Sequence, residues 1–242
     1  MQSLTLVRGA VLLVAALSLP AHAAVTLQGT RIVHDAGSSR DVTVQASNSG
    51  EQPAMVQAWI DNGDSQMRPD LIRTPFRLVP SEPRLLHAHQ GQAFRITYAP
   101  RPGETPLPTD RESVFYFNLL DIPPKPKDAA NQNLLQFAVR TRVKLFHRPP
   151  GLKGEARDAA ARLQWSADGD VLRVRNPSVY HVTVTTLTLA GGHALSVDMI
   201  APGAEVRLPL PQGVAMPRKV SFRWLDDYGA ARDQSAEVSI AD

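Results

Sequence analysis

The sequence predicts an all-β protein made of two β-sandwich domains, and three observations carry this prediction. Helical periodicity is almost absent, since residues 155–163 form the one stretch with helical spacing. Short alternating or apolar runs recur between turn residues along the chain. This pattern stops at the Arg-Pro-Pro-Gly segment at 148–151 and then restarts. Proline and glycine at such a point interrupt strand pairing.

The first 23 residues have the features of a secretory signal. Arg8 is the one charged residue, residues 9–19 are apolar, and Ala21, His22 and Ala23 form a cleavage site of the A-x-A kind. A membrane anchor is the alternative, but the run is shorter than the roughly 20 apolar residues that span a bilayer. We therefore expect export and a mature chain from Ala24, with no membrane insertion.

Seven strands are expected in a first domain at residues 24–147, which is the number that one immunoglobulin-like sandwich requires. They fall at 25–33, 41–47, 55–60, 77–79, 94–98, 114–120 and 134–146. The run at 114–120 is apolar throughout, as in a strand that is covered on both faces. The continuous run at 25–33 places Arg31 on the same face as Val25, Leu27 and Val33.

A hinge is expected at residues 148–152 and a second sandwich at residues 153–242. The strands of the second sandwich fall at 163–165, 171–175, 181–189, 195–200, 205–208, 220–224 and 236–240. A stiff, proline-rich hinge would fix the angle between the domains and leave a cleft there.

The composition argues against several classes of function. No residue is Cys, so disulfides, thiolate metal sites and cysteine nucleophiles are excluded. The 26 basic and 23 acidic residues nearly balance, which gives little reason to expect binding to nucleic acid. Neither G-x-S-x-G nor H-E-x-x-H occurs. His87 and His89 could share a strand face and bind a metal, but a solvated loop is the favoured interpretation. We therefore expect no enzyme activity, metal or cofactor.

Arg31 is the first candidate site residue, because a guanidinium on an apolar face needs an anion. An internal carboxylate partner and a ligand carboxylate remain equal alternatives.

The long run at 134–146 is the second candidate. It is either a half-buried strand with its odd-numbered face in the core or a strand exposed for selective pairing. The basic residues on its even face would discourage uncontrolled edge pairing; they are Arg140, Arg142 and Lys144.

Charged residues near the hinge are the third candidate. Arg148 could bridge a carboxylate from each domain, with Asp110, Glu112 and Asp227 as candidates, or these could be separate surface charges of little energetic value.

Several separated motifs resemble periplasmic pilus-assembly chaperones of the chaperone–usher pathway. They are PTDRESVFYFN at 108–118, IPP at 122–124, TRVKLFHRP at 141–149, GTR at 29–31 and QAWID at 57–61. The second domain matches more loosely, through Asn176-Pro177, Tyr180 and the Asp-Tyr-Gly segment at 227–229. The short polar segment at 125–133 and the lack of cysteine are similar to the short-loop kind of this family.

The resemblance implies two immunoglobulin-like domains in a boomerang arrangement and a non-enzymatic mechanism. The chain would capture pilus subunits by donating Leu135, Phe137 and Val139 to an open subunit groove, and would deliver them to an outer-membrane usher. Other matched positions are assigned roles in the cleft and between the domains: a subunit carboxylate anchor at Arg31 and Lys144, and an ionic set at Glu112, Arg148 and Asp227. A self-capping dimer of the free chain is an open alternative.

Lys144 has the opposite parity to the three donated residues, so a flat strand would place it on the other face. A bulge, strong twist or a cleft that reaches around the strand is therefore expected. A secreted carbohydrate-binding or adhesive module is the alternative function. It predicts a row of exposed aromatic residues, whereas aromatic residues make up only 6% of the chain.

Overall fold

A computed structural model of the chain describes residues 25–124, 136–189 and 192–240. The expected signal at 1–23, the loop at 125–133 and the donor residue Leu135 lie outside these ranges. Regular structure in the described residues is almost entirely β, as the sequence predicts.

The first domain is a sandwich of two sheets. One sheet has the strand order β1 (Val25–Leu27), β3 (Asp41–Asn48), β7 (Gly91–Tyr98) and β5 (Phe76–Val79). The other has the order β2 (Arg31–Asp35), β9 (Val139–Arg148), β8 (Ser113–Ile122), β4 (Ala54–Asp61) and β6 (Arg84–Leu86). The β2–β9 pair is parallel, and the other pairs are antiparallel.

The expected single strand at 25–33 is wrong. The chain bends at 28–30, where Gly29 has a φ of 91°, and passes from one sheet to the other. The bend resets the alternation, so Ile32 and His34 face the core while Arg31 and Val33 are only partly buried. Arg31 therefore does not continue the face of Val25. The short edge strand β6 was also not predicted, because its run is brief and follows Pro83.

The core of the first domain lies between its two sheets. Phe94 and Phe117 pack edge-to-face with ring centroids 5.7 Å apart, and both are almost fully buried. Ile96 and Leu145 are fully buried in the same cluster. Burial of each such side chain contributes about 1.5–3 kcal/mol, so this core holds β8 and the C-terminal half of β9 in place.

Within the described residues, the second domain forms one eight-stranded sheet, in which seven strands follow the order β13-β12-β16-β17-β10-β11-β15 and β14 pairs with β12 off that path. Their bounds are β10 (Gln164–Asp168), β11 (Val171–Arg175), β12 (Val182–Thr188), β13 (Ala194–Leu195), β14 (Asp198–Ile200), β15 (Glu205–Pro209), β16 (Lys219–Leu225) and β17 (Ala231–Ile240). A separate apolar cluster that includes Trp165, Leu172 and Phe222 forms its core.

The expected helix at 155–163 is wrong in detail. The structure has two single 3₁₀ turns there, Ala156–Asp158 and Ala160–Arg162. A run of nine residues is too short to offset the cost of helix nucleation in the absence of extensive packing. Ala159, Ala160 and Leu163 instead tuck into the core of the second domain.

Candidate binding cleft and strand edge

Arg148 connects the two domains. Its Nε lies 2.7 Å from Glu112 Oε2 in the first domain, and its Nη1 and Nη2 each lie 2.7 Å from one oxygen of Asp227 in the second. The Glu112 side chain is 1% exposed and that of Asp227 is 37% exposed, so this charge-assisted network is buried on the side of the first domain and partly open on the side of the second. Burial alone would lower the pKa of Arg148, but the hydrogen bonds to Asp227 and the charge of Glu112 outweigh it and raise that pKa. The structure thus brings together the three residues that the sequence singled out.

His181 is a member of this network that sequence reasoning missed. Glu112 Oε1 lies 2.8 Å from the backbone N of His181 and 2.8 Å from its Nδ1. Because a carboxylate oxygen accepts, Nδ1 carries the proton and donates. Nothing in the sequence around His181, which begins a predicted strand, indicates that it binds a carboxylate of the first domain. The extra contacts fix the Glu112 carboxylate that receives Arg148.

Arg31 lies against the turn that follows β16. Its Nη1 donates to the carbonyl oxygen of Leu225 at 3.0 Å, and its guanidinium stands over the Phe146 ring at 5.7 Å. Gly229, in this turn, approaches Thr30 so closely that a Cβ there would collide with the Thr30 side chain. The observed partner of Arg31 is therefore a main-chain carbonyl and not an internal carboxylate.

The guanidinium of Arg31 retains unused donor capacity. Its Nε is buried and makes no hydrogen bond within the described residues. Burial lowers the pKa of Arg31, and the nearby charges of Asp227 and Asp226 oppose that shift. A guanidinium has five N–H donors, so this one can accommodate a further acceptor.

Lys144 lies beside Arg31, because the two residues are register partners across the parallel β2–β9 pair. Its Nζ lies 3.3 Å from Oδ1 of Asp198 in the second domain. The β8–β9 register runs without a shift from Ser113↔His147 to Asp121↔Val139, so the bulge, one of the three expected alternatives, does not occur in this pair. Lys144 lies on the outer face of β9, opposite the core, as its even-numbered position in a regular strand requires. The second domain lies over that outer face, so Lys144 reaches the cleft without a bulge.

The two halves of β9 have different surroundings. Residues 144–147 pair with β2 on one side and β8 on the other, and Arg148 pairs with β2. Residues 139–143 pair, among the described residues, with β8 alone. Phe137 is 67% exposed and Val139 is 41% exposed, while Leu145 is fully buried. The prediction that the odd-numbered residues face the core is thus correct for Leu145 and wrong for Val139 and Phe137. The exposed-strand alternative describes the N-terminal half.

No group of three potential metal ligands is found within residues 25–124, 136–189 and 192–240. In the same part of the chain, no helix has the length and apolarity to cross a membrane.

The fold and the site together define a two-domain immunoglobulin-like protein in which, among the described residues, one edge of β9 has no paired strand and lies beside a basic cleft. The model of the family "Pili and flagellar-assembly chaperone, PapD N-terminal domain" matches residues 24–153. The model "Pili assembly chaperone PapD, C-terminal domain" matches residues 158–236. The chain therefore belongs to the family of pilus-assembly chaperones.

Curated relatives match over nearly the whole chain. The probable fimbrial chaperone YadV of Escherichia coli is 39% identical over 225 residues, which cover 88% of this chain and 89% of the relative. The chaperone protein FimB/FhaD of Bordetella pertussis is 37% identical over 231 residues, with coverage of 94% and 93%.

Solved structures of such chaperones are also similar. The Pseudomonas aeruginosa CupB2 chaperone has a TM-score of 0.72 at 33% identity and covers 88% of this chain and 100% of its own. The Salmonella enterica SafB chaperone, solved in complex with the SafA pilin, has a TM-score of 0.76 at 25% identity, with coverage of 90% and 98%. These matches confirm a chaperone that assists the folding of pilus subunits and do not favour the carbohydrate-binding alternative.

Proposed function

We propose that this chaperone holds a pilus subunit by adding the N-terminal half of β9 to the subunit's incomplete sheet. The observation that carries the proposal is the edge at 139–143, which no second strand pairs among the described residues and which continues into the exposed Phe137. An unpaired edge presents N–H and C=O groups that another strand can use, and such main-chain pairing tolerates different partner sequences.

Alternate side chains of this edge supply the apolar contacts. Phe137 and Val139 share one face, and Leu135 would continue that face by parity. A phenylalanine that is two-thirds exposed is unfavourable in a free chain, and its burial in a partner contributes about 1.5–3 kcal/mol. The three residues are proposed to fill successive pockets of the subunit groove.

The cleft supplies the proposed anchor for the subunit's C-terminal carboxylate. Arg31 and Lys144 are adjacent across β2 and β9 and both contact the second domain. Asp198 already places a carboxylate oxygen on Lys144, so this position accepts that chemistry. A carboxylate fixed here would set the register of the subunit strand along β9.

The interdomain ionic set is proposed to keep this cleft preformed. Glu112, Arg148 and Asp227 join the domains near Arg31, close enough for their charges to act on its guanidinium. A fixed angle reduces the ordering that the cleft must undergo on binding, which favours affinity.

The remaining assignments complete the proposal. Residues 1–23 direct export to the periplasm, and the domains extend over 24–147 and 153–242 with a hinge at 148–152. The chaperone is not an enzyme, uses no cofactor, does not bind nucleic acid and does not insert into the membrane. It transfers its subunits to an outer-membrane usher. A self-capping dimer would use the same β9 edge.

Co-expression with the subunit from its own operon tests this function. Arg31→Ala or Lys144→Ala should abolish recovery of soluble complex, while circular dichroism shows a folded chaperone. Arg223→Ala is the matched control, because Arg223 makes an exposed ion pair with Asp233 on β16 and β17 of the second domain. An unchanged yield of complex with both cleft variants would contradict the carboxylate anchor.

A further inference from the structure

A buried ion cluster lies on the outer face of the first domain, at the end of β4. Its centre is Asp61, which is 0% exposed. Arg142 binds this carboxylate with two parallel contacts, Nε–Oδ2 at 2.9 Å and Nη2–Oδ1 at 2.7 Å. Asn118 Nδ2 and the backbone N of Gly63 each donate to it at 2.8 Å. The carboxylate is therefore fully satisfied despite its burial.

Arg140 extends the cluster from the next even-numbered position of β9. Its Nε and Nη2 donate to Asn118 Oδ1 at 2.9 and 2.8 Å, and its Nη1 donates to the Ser65 carbonyl at 2.6 Å. The guanidinium carbon of Arg140 lies 5.0 Å from the Trp59 ring centre, which is a cation–π distance. Asp61, Asn118, Arg140 and Arg142 are called the Asp61 cluster below.

The electrostatics of the cluster favour its ionised form. Burial raises the pKa of Asp61, but the hydrogen bonds from Arg142 and Asn118 outweigh it and hold that pKa below its usual value. The hydrogen bond to Asp61 raises the pKa of Arg142. Removal of one partner would leave an uncompensated buried charge.

The position of the cluster relates it to the free edge. Both arginines lie within 139–143, the half of β9 that β2 does not pair. Their side chains occupy the outer face and are tied to β4, to β8 and to the loop at 62–66. Because side chains alternate along a strand, fixing the even-numbered residues on one face directs Val139 and its odd-numbered neighbours to the other.

We propose that the Asp61 cluster consists of positioning residues that preorganise the donor half of β9 for subunit binding, an inference that rests on the proposed function. An edge with one neighbouring strand would otherwise fray, and a partner would have to order it on binding. The cluster provides that order through side chains in place of a second strand. The cluster contacts the donor strand from its far face and leaves the free edge accessible.

Amide hydrogen exchange in the free, full-length chaperone tests the positioning role. Asp61→Asn, and the milder Arg142→Lys, which retains charge but loses the two-contact geometry, should accelerate exchange of residues 139–143 by about tenfold or more. Residues 144–148 should change by less than about twofold. Asp233→Asn, which removes the exposed pair with Arg223, is the control and should change neither segment. Unaltered exchange at 139–143, or equal acceleration across the whole first domain, would overturn the inference.

Subunit capture provides the second measurement. At equal chaperone levels, Arg142→Lys should reduce the recovery of soluble complex severalfold, and Asp233→Asn should leave it unchanged. If Phe137→Ser and Arg31→Ala abolish recovery but Arg142→Lys does not reduce it, the positioning role fails and the proposed function stands. If Phe137→Ser and Arg31→Ala also leave recovery intact, the proposed function itself fails.

Discussion

The two halves of β9 belong to one continuous strand but have different surroundings. In residues 144–147 a strand lies on either side, and Leu145 and Phe146 are buried. Residues 139–143 have β8 on one side and, in the part of the chain that the structure describes, no paired strand on the other, and the side chain of Val139 is exposed. The difference is made by β2, which reaches only as far as Lys144. A single strand thus contributes a structural half to the core and a half that remains available for a partner.

The bend at 28–30 is the physical origin of this division. β2 begins at Arg31, directly after the bend, so its pairing with β9 cannot extend toward Val139. The same bend places Arg31 at the end of the free edge, next to Lys144. The open edge and the basic cleft are therefore products of one backbone feature.

The largest predicted effect is at the C-terminal end of the paired half. Arg148→Gln would leave the buried Glu112 carboxylate without its cation, so the free energy of unfolding should fall by about 3–5 kcal/mol. Urea denaturation measures this loss. Arg223→Gln, which removes an exposed pair with Asp233, should cost no more than about 1 kcal/mol. Equal losses for the two variants would contradict the structural role of Arg148.

A core residue of the paired half should differ sharply from its counterpart in the free half. Leu145→Ala should lower the free energy of unfolding by about 2–5 kcal/mol, because it creates a cavity in a fully buried cluster. Val139→Ala removes methyl groups that are already partly in water, and its effect should stay within about 0.5 kcal/mol. Similar midpoints of denaturant unfolding for the two variants would contradict the division of β9.

A buried histidine pair makes the paired half sensitive to acid. His34 Nε2 lies 3.0 Å from the Arg40 carbonyl and donates to it, so His34 Nδ1 accepts from His147 Nδ1 at 2.9 Å. Burial and the neighbouring His34 lower the pKa of His147 to about 4, from an ordinary value of 6.5. The unfolded chain therefore takes up this proton first as the pH falls. Neutral His147 therefore contributes fully to the free energy of unfolding above pH 6.5, and this contribution is lost as the pH falls from 6.5 to 4.

This loss should be on the order of 3 kcal/mol. Denaturant unfolding at pH 7 and at pH 4 measures it when the wild type is compared with His147→Gln, which cannot titrate. The variant should lose less stability between these two pH values, since carboxylates titrate alike in both proteins. Parallel pH profiles for wild type and variant would show that His147 takes no part.

The smallest effect on stability, with a large effect on function, is expected at the free half. Phe137→Ser should leave the free energy of unfolding within about 0.5 kcal/mol, because this side chain is mostly in water. It should nevertheless strongly reduce the recovery of soluble complex with the subunit. A variant that loses stability, or that captures the subunit normally, would place Phe137 in a different role.

The strand pattern could be predicted from short runs and turn residues, because alternation and proline act locally. The break of 25–33 into two strands could not, since alternation alone does not reveal that Gly29 turns the chain into the other sheet. Arg148 and its candidate carboxylates were nominated from their place in the sequence, and the resemblance selected Glu112 and Asp227 among them. Their partner His181 had no signal in the sequence. Arg142 and Asp61 are 81 residues apart in the sequence, and their pairing depends on how β9, β8 and β4 align in the sheet. No local pattern in a single sequence reveals that alignment.

Hydrogen exchange in the chaperone–subunit complex tests the central claim most directly. If the subunit adds a strand to β9, alternate amides within 139–143 that exchange readily in the free chaperone should become protected by about 100-fold or more in the complex. Amides of residues 145–147, already paired on both sides, should change little. Protection elsewhere in the chaperone with none at 139–143 would contradict donation of this strand edge.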